Sequence, residues 1–240
     1  MDEQRKLRVD TSGMTNHIGI ILDRSGSMDR IRQEVIDGFN QQIQEICQQS
    51  KEIKTKVSLL TFSDTVSDPV YWEADPDNLV KLTLDKYRPS GQTALNDAIG
   101  TTIKRMKQIP DDQNSAFLLI VITDGQENNS SEFTHEAVNA LMEEVKKTGK
   151  WTITFIGQDA KQAESYHVTK GNFRQTAMMN RGEYVISQAD LSRGISHYYA
   201  SRASGQMAVS NFFSQAEEPQ KDVDSGASPT DNKTVAQTPK

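Results

Sequence analysis

The sequence has a single cysteine, Cys47, and no long apolar run. One cysteine excludes an intramolecular disulfide and leaves no cluster of thiolates that could bind zinc. Because Cys47 ends an apolar stripe with helical spacing, we interpret it as a packing residue. No apolar stretch approaches the roughly 20 residues that a membrane-spanning helix needs, so we expect no membrane partner. These absences favour a soluble protein of a reducing compartment.

The chain also has fewer basic than acidic residues, with 27 Lys and Arg and 33 Asp and Glu, which gives a net charge of -6. No block of Lys or Arg compensates for this balance, which argues against a nucleic-acid partner. Residues 1–6 contain no apolar segment of the kind that a secretory signal has. We therefore expect a cytoplasmic protein that does not bind nucleic acid.

Aromatic residues are absent from the last part of the chain, residues 217–240, where Pro, Asp, Ser, Thr and Lys dominate. Such a composition cannot bury enough apolar surface to offset the entropy of ordering, so we predict disorder from about residue 217. Residues 1–14 are polar and are predicted to form a flexible arm. The length suits one α/β domain, which we place at residues 15–204, followed by a C-terminal extension at 205–240.

Between the arm and the extension, apolar runs typical of strands alternate with apolar residues at helical spacing. Strands are predicted at residues 17–22, 56–62, 116–122 and 151–156, with weaker ones near 70–72 and 173–177. Helices are predicted to begin near residues 29, 95, 131, 160 and 189, and Ser130 or Ser131 is the predicted N-cap of the third. We assign no secondary structure to residues 79–87. The turn before residues 70–72 is too short for a parallel crossover, which predicts an antiparallel edge strand. The alternation predicts a doubly wound, Rossmann-like α/β fold, with a mostly parallel sheet and helices on both faces.

Acidic residues follow two of the predicted central strands, at Asp23 and Asp124. Ligands of doubly wound sheets bind outside the carboxyl ends of the strands, so the two carboxylates face one crevice if their strands are neighbours. Asp23, Ser25 and Ser27 place one carboxylate and two hydroxyls within five residues, and such hard donors suit Mg²⁺, Mn²⁺ or Ca²⁺. Taken alone, this stretch is better explained by a helix N-cap at Ser27 or Asp29.

The segment Asp23-Arg24-Ser25-Gly26-Ser27 resembles the Asp-x-Ser-x-Ser motif of von Willebrand factor A (vWA) domains. Thr93, before a predicted helix, resembles the second element of the family's site, and Asp124, after a central strand, resembles the third. The resemblance runs from about residue 15 to residue 203 and implies a vWA fold of the stand-alone cytoplasmic type found in bacteria and phages. It also implies a metal-ion-dependent adhesion site that binds Mg²⁺, or Mn²⁺ or Ca²⁺, through Asp23, Ser25, Ser27, Thr93 and Asp124.

The resemblance further implies a protein-binding module, in which the metal ion coordinates an Asp or Glu of a partner protein and no bond is made or broken. Family analogy suggests a MoxR-type ATPase system as the partner. Since the chain has no Gly-rich phosphate loop, that ATPase would be another polypeptide. Five residues are predicted to ring the metal face and to tune specificity or to be solvated: Gln92, Gln126, Glu127, Asn128 and Asp159.

An enzyme is the alternative, namely a Mg²⁺-dependent phosphohydrolase that uses Asp23 as its nucleophile. Phosphohydrolases of the haloacid-dehalogenase type have a second acid two residues after the nucleophile, and Ser25 stands at that position. The Gly-x-Ser-x-Gly elbow of serine hydrolases is absent as well. We therefore predict that the chain is not an enzyme.

Overall fold

Six strands form the central sheet of the computed structural model, which describes residues 10–157, 159–175 and 181–213, with the main chain alone over 181–188. In chain order the strands are β1 Thr15–Asp23, β2 Lys54–Phe62, β3 Tyr71–Ala74, β4 Ser115–Ile122, β5 Trp151–Gly157 and β6 Phe173–Gln175. Their order across the sheet is β3-β2-β1-β4-β5-β6, and only β3 is antiparallel to its neighbour. The predicted Rossmann-like sheet with one antiparallel edge strand is confirmed.

Helices cover both faces of the sheet. They are α1 Arg32–Gln49, α2 Leu95–Met106, α3 His135–Lys146, α4 Ala160–Ser165 and α5 Arg181–Ala203, with short 3-10 helices at Gly26–Ile31, Pro76–Asn78 and Lys170–Asn172. Helices α1 and α5 pack on one face, and α2, α3 and α4 pack on the other. All eight residues of β4 are buried, as expected for a central parallel strand that is covered on both sides.

The N-terminus of α3 departs from the sequence-based prediction. Thr134, rather than Ser130 or Ser131, is the N-cap, because its side chain accepts a hydrogen bond from the N–H of Ala137 at 3.2 Å. The hydroxyl of Ser130 instead accepts the N–H of Asp97, in the first turn of α2, at 3.0 Å. The long connection between β4 and α3 is therefore attached to α2.

Residues 205–213, the first part of the predicted extension, pack against the domain. Val209, Phe212 and Phe213 are buried. The buried guanidinium of Arg202 donates hydrogen bonds to the carbonyl oxygen of Gln206 at 3.1 Å and to the side chain of Asn16, at the start of β1, at 2.8 Å. Residues 1–9 of the predicted arm, the predicted disorder from 217 and positions 176–177 of the last predicted strand lie outside the described residues. No helix within the described ranges has both the length and the hydropathy needed to span a bilayer.

Candidate metal centre

The candidate site lies at the carboxyl edge of β1 and β4, which are parallel neighbours in the sheet. The chain leaves β1 toward α1 on one face and leaves β4 toward α3 on the opposite face. This divergence opens a crevice at the switch point of the sheet. Three loops border it: a first loop at residues 23–27, a second loop at 90–94 before α2, and a third loop at 123–130 after β4.

Asp23 ends β1 and has 0% of its surface exposed. One carboxylate oxygen accepts the N–H of Ser25 at 2.6 Å, and the other accepts the hydroxyl of Thr123 at 2.7 Å. The hydroxyl of Tyr87 donates to the carbonyl oxygen of Asp23 at 2.5 Å. Burial raises the pKa of the Asp23 carboxyl above its usual range, and the hydrogen bonds from Thr123 and Ser25 oppose that rise.

Asp124 follows β4 and lies across the crevice from the first loop. Its Oδ1 accepts the hydroxyl of Ser27 at 2.5 Å, whereas its Oδ2 is buried and has no hydrogen-bond partner among the described residues. Burial raises the pKa of Asp124 to about 6. The carboxylate of Asp23 adds to this rise, while the Ser27 hydrogen bond and the charge of Arg30 oppose it.

The three predicted hydroxyl ligands reach the same crevice. The hydroxyl oxygens of Ser25 and Ser27 are 3.1 Å apart, and Ser27 also contacts Asp124. Thr93 is buried beside the third loop, where a Cβ added to Gly125 would lie 2.5 Å from its hydroxyl oxygen. The structure therefore brings all five predicted ligands together, although their binding to a metal stays a prediction.

Backbone contacts hold the second loop against the first. The N–H of Gly26 donates to the carbonyl oxygen of Gly91 at 3.0 Å, and the N–H of Ser90 donates to that of Arg24 at 2.8 Å. Gly91 has a φ of 79°, which favours glycine, and a Cβ at this position would overlap the carboxylate of Asp64. A larger residue at Gly91 would therefore displace Asp64 and strain the second loop.

The five residues predicted to ring the metal face differ in what they contact. Gln92 and Gln126 are exposed, and Gln126 reaches Asp159 at 3.3 Å. Asp159 caps α4 by accepting the N–H of Lys161 at 2.8 Å. Asn128 instead accepts a hydrogen bond from Thr93 of the second loop, and Glu127 accepts one from Asn96 of α2. Their side chains therefore connect the third loop to the second loop and to α2.

Two residues that support Asp23 were missed in the sequence. Thr123 is a polar residue at the end of an otherwise apolar run, directly before Asp124, and this interruption was the available signal. Tyr87 lies in the stretch whose structure was left open, 64 positions from the Asp23 that it contacts. No local pattern in the sequence could have connected Tyr87 with Asp23.

The donors fit a hard divalent cation. Two carboxylates and three hydroxyls surround one crevice, and oxygen donors of this kind suit Mg²⁺, Mn²⁺ or Ca²⁺. The unsatisfied Oδ2 of Asp124 leaves a buried anionic oxygen that a cation could bind. Within the described part of the chain, no group of three or more His, Cys, Asp or Glu side chains is placed to hold a metal. A site here therefore depends on its hydroxyl groups.

Solved structures with the same architecture include several pilus proteins. The PilB minor pilin from Streptococcus sanguinis is 11% identical with a TM-score of 0.55, covering 78% of this chain and 62% of its own. The vWF domain of the type V pili tip protein Mfa5 from Porphyromonas gingivalis is 10% identical with a TM-score of 0.56, covering 80% and 96%. The pilus adhesin SpaC from Lactobacillus rhamnosus GG is 11% identical with a TM-score of 0.57, covering 83% and 31%. The chain thus spans less than two thirds of PilB and SpaC, and the likeness establishes the fold alone.

Comparison with the sequences of curated proteins gives no match. The family model of the von Willebrand factor type A domain, however, matches residues 17–196, which is well over half of the chain. The matched range includes all three loops of the crevice. The chain therefore belongs to the von Willebrand factor type A domain family.

Proposed function

We propose that this domain is a metal-dependent protein-binding module. In this proposal Asp23, Ser25, Ser27, Thr93 and Asp124 hold a divalent cation, Mg²⁺ in the first place, and a partner protein presents an Asp or Glu to it. Domains of this family typically mediate protein–protein interactions, which supports the general role. A bound Mg²⁺ would supply an electrophilic position for an anionic oxygen of the partner.

The observation that carries the proposal is the state of Asp124. Its Oδ1 is held by Ser27, while its Oδ2 is buried in the crevice without a hydrogen-bond partner among the described residues. A buried acceptor left in this way costs about 1–3 kcal/mol, and more when it is charged. The raised pKa of Asp124 reflects the same unfavourable setting. A cation between Asp124 and the hydroxyl groups would remove this cost.

Charge at the rim supports an acidic partner. Arg30 lies in the 3-10 helix after the first loop, is exposed, and is close enough to oppose the rise in the pKa of Asp124. Arg24 is half-buried in the first loop and donates to the hydroxyl of Ser67 at 3.2 Å. These two arginines place positive charge beside the first loop, where a carboxylate of a partner could contact it.

The geometry does not favour the phosphohydrolase alternative. Asp23 is fully buried, and each of its carboxylate oxygens already accepts a hydrogen bond. A nucleophilic carboxylate needs an oxygen that can reach a substrate phosphorus atom. The contacts of Asp23 instead suit a residue that fixes the first loop and that would act on a bound cation through its negative charge, directly or through water.

The location and the partner system also stay proposals. We propose a cytoplasmic location, which is supported by the single cysteine and by the resemblance to stand-alone cytoplasmic members of the family. We propose a MoxR-type ATPase system as the class of partner, and this rests on family analogy.

Affinity capture from a lysate of the source organism tests the module. We expect a partner that the wild type retains with Mg²⁺ but loses in EDTA, and that Thr93→Val loses in both conditions because one ligand is absent. Thr101→Val makes the same change within α2, about two turns from the start of that helix, and should behave as the wild type. Truncating the partner's acidic residue should abolish capture as EDTA does. Capture that survives EDTA, or metal-dependent phosphate-ester hydrolysis lost in Asp23→Asn, would contradict the proposal.

A further inference from the structure

The three loops of the crevice are joined in different ways. The first and second loops share backbone hydrogen bonds, through Gly26 and Gly91. The first and third loops are joined by Ser27 and Asp124, which are themselves proposed ligands, and by Thr123, whose hydroxyl donates to the proposed ligand Asp23. The second and third loops are joined by side chains outside the proposed ligand set. These side chains remain free to hold the loops when the ligands turn toward a metal.

Asn128 forms the most direct of these connections, because it holds Thr93 at two points. Its Oδ1 accepts the N–H of Thr93 at 2.9 Å, and its own N–H donates to the carbonyl oxygen of Thr93 at 3.1 Å. Both main-chain groups of Thr93 are therefore bonded to one residue of the third loop. This pairing keeps the Thr93 hydroxyl beside Gly125, next to Asp124.

Glu127 fastens the third loop to the start of α2. Ala94 is the N-cap of that helix and gives no side-chain hydrogen bond. Glu127 supplies the missing capping hydrogen bond, because its Oε2 accepts the N–H of Asn96 at 2.7 Å. The same oxygen accepts the hydroxyl of Ser130 at 2.7 Å. Its Oε1 accepts the N–H groups of residues 129 and 130 at 2.9 and 2.8 Å.

Asp97 makes the reciprocal connection from α2. Its buried carboxylate accepts the main-chain N–H groups of residues 131, 132 and 133 at 2.8–2.9 Å. Together, Glu127 and Asp97 fasten residues 127–133 to the start of α2. Asn128 lies between Glu127 and the residues that Asp97 holds, so the main chain on both sides of Asn128 is anchored to α2 and its side chain is well placed to hold Thr93.

We propose that Asn128 is a positioning residue that holds the hydroxyl of Thr93 in the geometry the metal requires. This inference rests on the proposed function, because it concerns the ligands of the proposed ion. Residues that orient metal ligands without touching the metal typically contribute about 10–100-fold to metal affinity. The side chain of Asn128 is exposed, but its removal leaves the N–H of the buried Thr93 without its acceptor, so the melting temperature should fall by about 2–4 °C while the protein stays folded.

The test compares three variants in Mg²⁺ titrations by calorimetry, with thermal unfolding and NMR amide exchange measured on the metal-free proteins. Asn128→Ala removes the acceptor for the Thr93 N–H, and we expect about 10–100-fold weaker Mg²⁺ binding at a melting temperature only about 2–4 °C lower. The Thr93 amide should exchange faster in this variant. Asn128→Asp keeps an acceptor oxygen and should restore both the affinity and the slow exchange.

Gln126→Glu is the control for charge, since it adds the same negative charge to an exposed position of the same loop. It should leave the Thr93 amide protected and should not reproduce the effect of Asn128→Ala. Wild-type affinity in Asn128→Ala, or equally weak binding in Asn128→Ala and Asn128→Asp, would overturn the role of Asn128. A wild type that shows no Mg²⁺ binding at all would contradict the proposed function instead.

Discussion

At the scale of single residues, the titration of Asp124 gives the clearest pH dependence. Its pKa is raised from 3.8 to about 6 in the folded chain, so the folded state binds this proton more tightly than the unfolded state does. The stability that results is present below the unfolded pKa and is lost as the pH rises through the folded value.

We therefore expect Asp124→Asn, compared with the wild type in EDTA, to become relatively more stable as the pH rises from about 4 to about 7. The asparagine cannot ionise in the buried crevice, whereas the aspartate does. Urea unfolding at several pH values measures the difference. A difference that stays constant over this range would show that burial does not affect the ionisation of Asp124.

The ligand positions could be predicted at this scale, but the residues that support them could not. The spacing of Asp23, Ser25 and Ser27 is local, and it stands out in the sequence. The role of Asn128 depends on a contact with Thr93, 35 positions away, and an asparagine in a polar loop gives no sign of it. The sequence-based prediction placed Asn128 and Glu127 around the metal face, and it did not include their contacts with the second loop and α2.

At the scale of secondary-structure elements, the N-cap of α3 is Thr134 in the structure, whereas the sequence suggested Ser130 or Ser131. Thr134→Ala removes the hydrogen bond to the N–H of Ala137 and should destabilise the protein by about 1 kcal/mol. Ser131→Ala is the matched control, because Ser131 contributes its main-chain N–H to Asp97 and keeps it in the variant. Denaturant unfolding of both variants decides the matter. A larger loss of stability in Ser131→Ala than in Thr134→Ala would show that Ser131 caps the helix, as the sequence suggested.

Central elements could be predicted and peripheral ones only in outline. The run around Ile120 is apolar on both faces, which only a covered central strand explains. The edge strand β3 lies at Tyr71–Ala74, whereas the prediction placed it around 70–72, and its pairing with β2 shifts register between Val57 and Leu59. Helix α5 begins at Arg181, eight residues before the predicted start at 189. Its buried Arg202 was not foreseen, since arginine at a helix end normally indicates a solvated surface.

At the scale of the whole molecule, two truncations distinguish the packed part of the C-terminal extension from the predicted disordered part. Deleting residues 217–240 should leave the melting temperature nearly unchanged. Deleting 205–240 also removes the buried side chains of Val209, Phe212 and Phe213, which contribute roughly 5 kcal/mol together. That loss corresponds to a melting temperature about 10–20 °C lower. Differential scanning calorimetry measures both, and a fall of several degrees in the shorter truncation would mean that the tail docks on the domain.

The whole fold brings five residues from three separate loops to one crevice, and the central claim is that this crevice binds a divalent cation. Calorimetric titration with Mg²⁺ of the wild type, Thr93→Val and Thr101→Val tests the claim most directly. We predict saturable binding by the wild type and by Thr101→Val, and binding weaker by about tenfold or more in Thr93→Val at an unchanged melting temperature, because only the hydroxyl is lost. No binding by the wild type, or equal binding by Thr93→Val, would contradict the account.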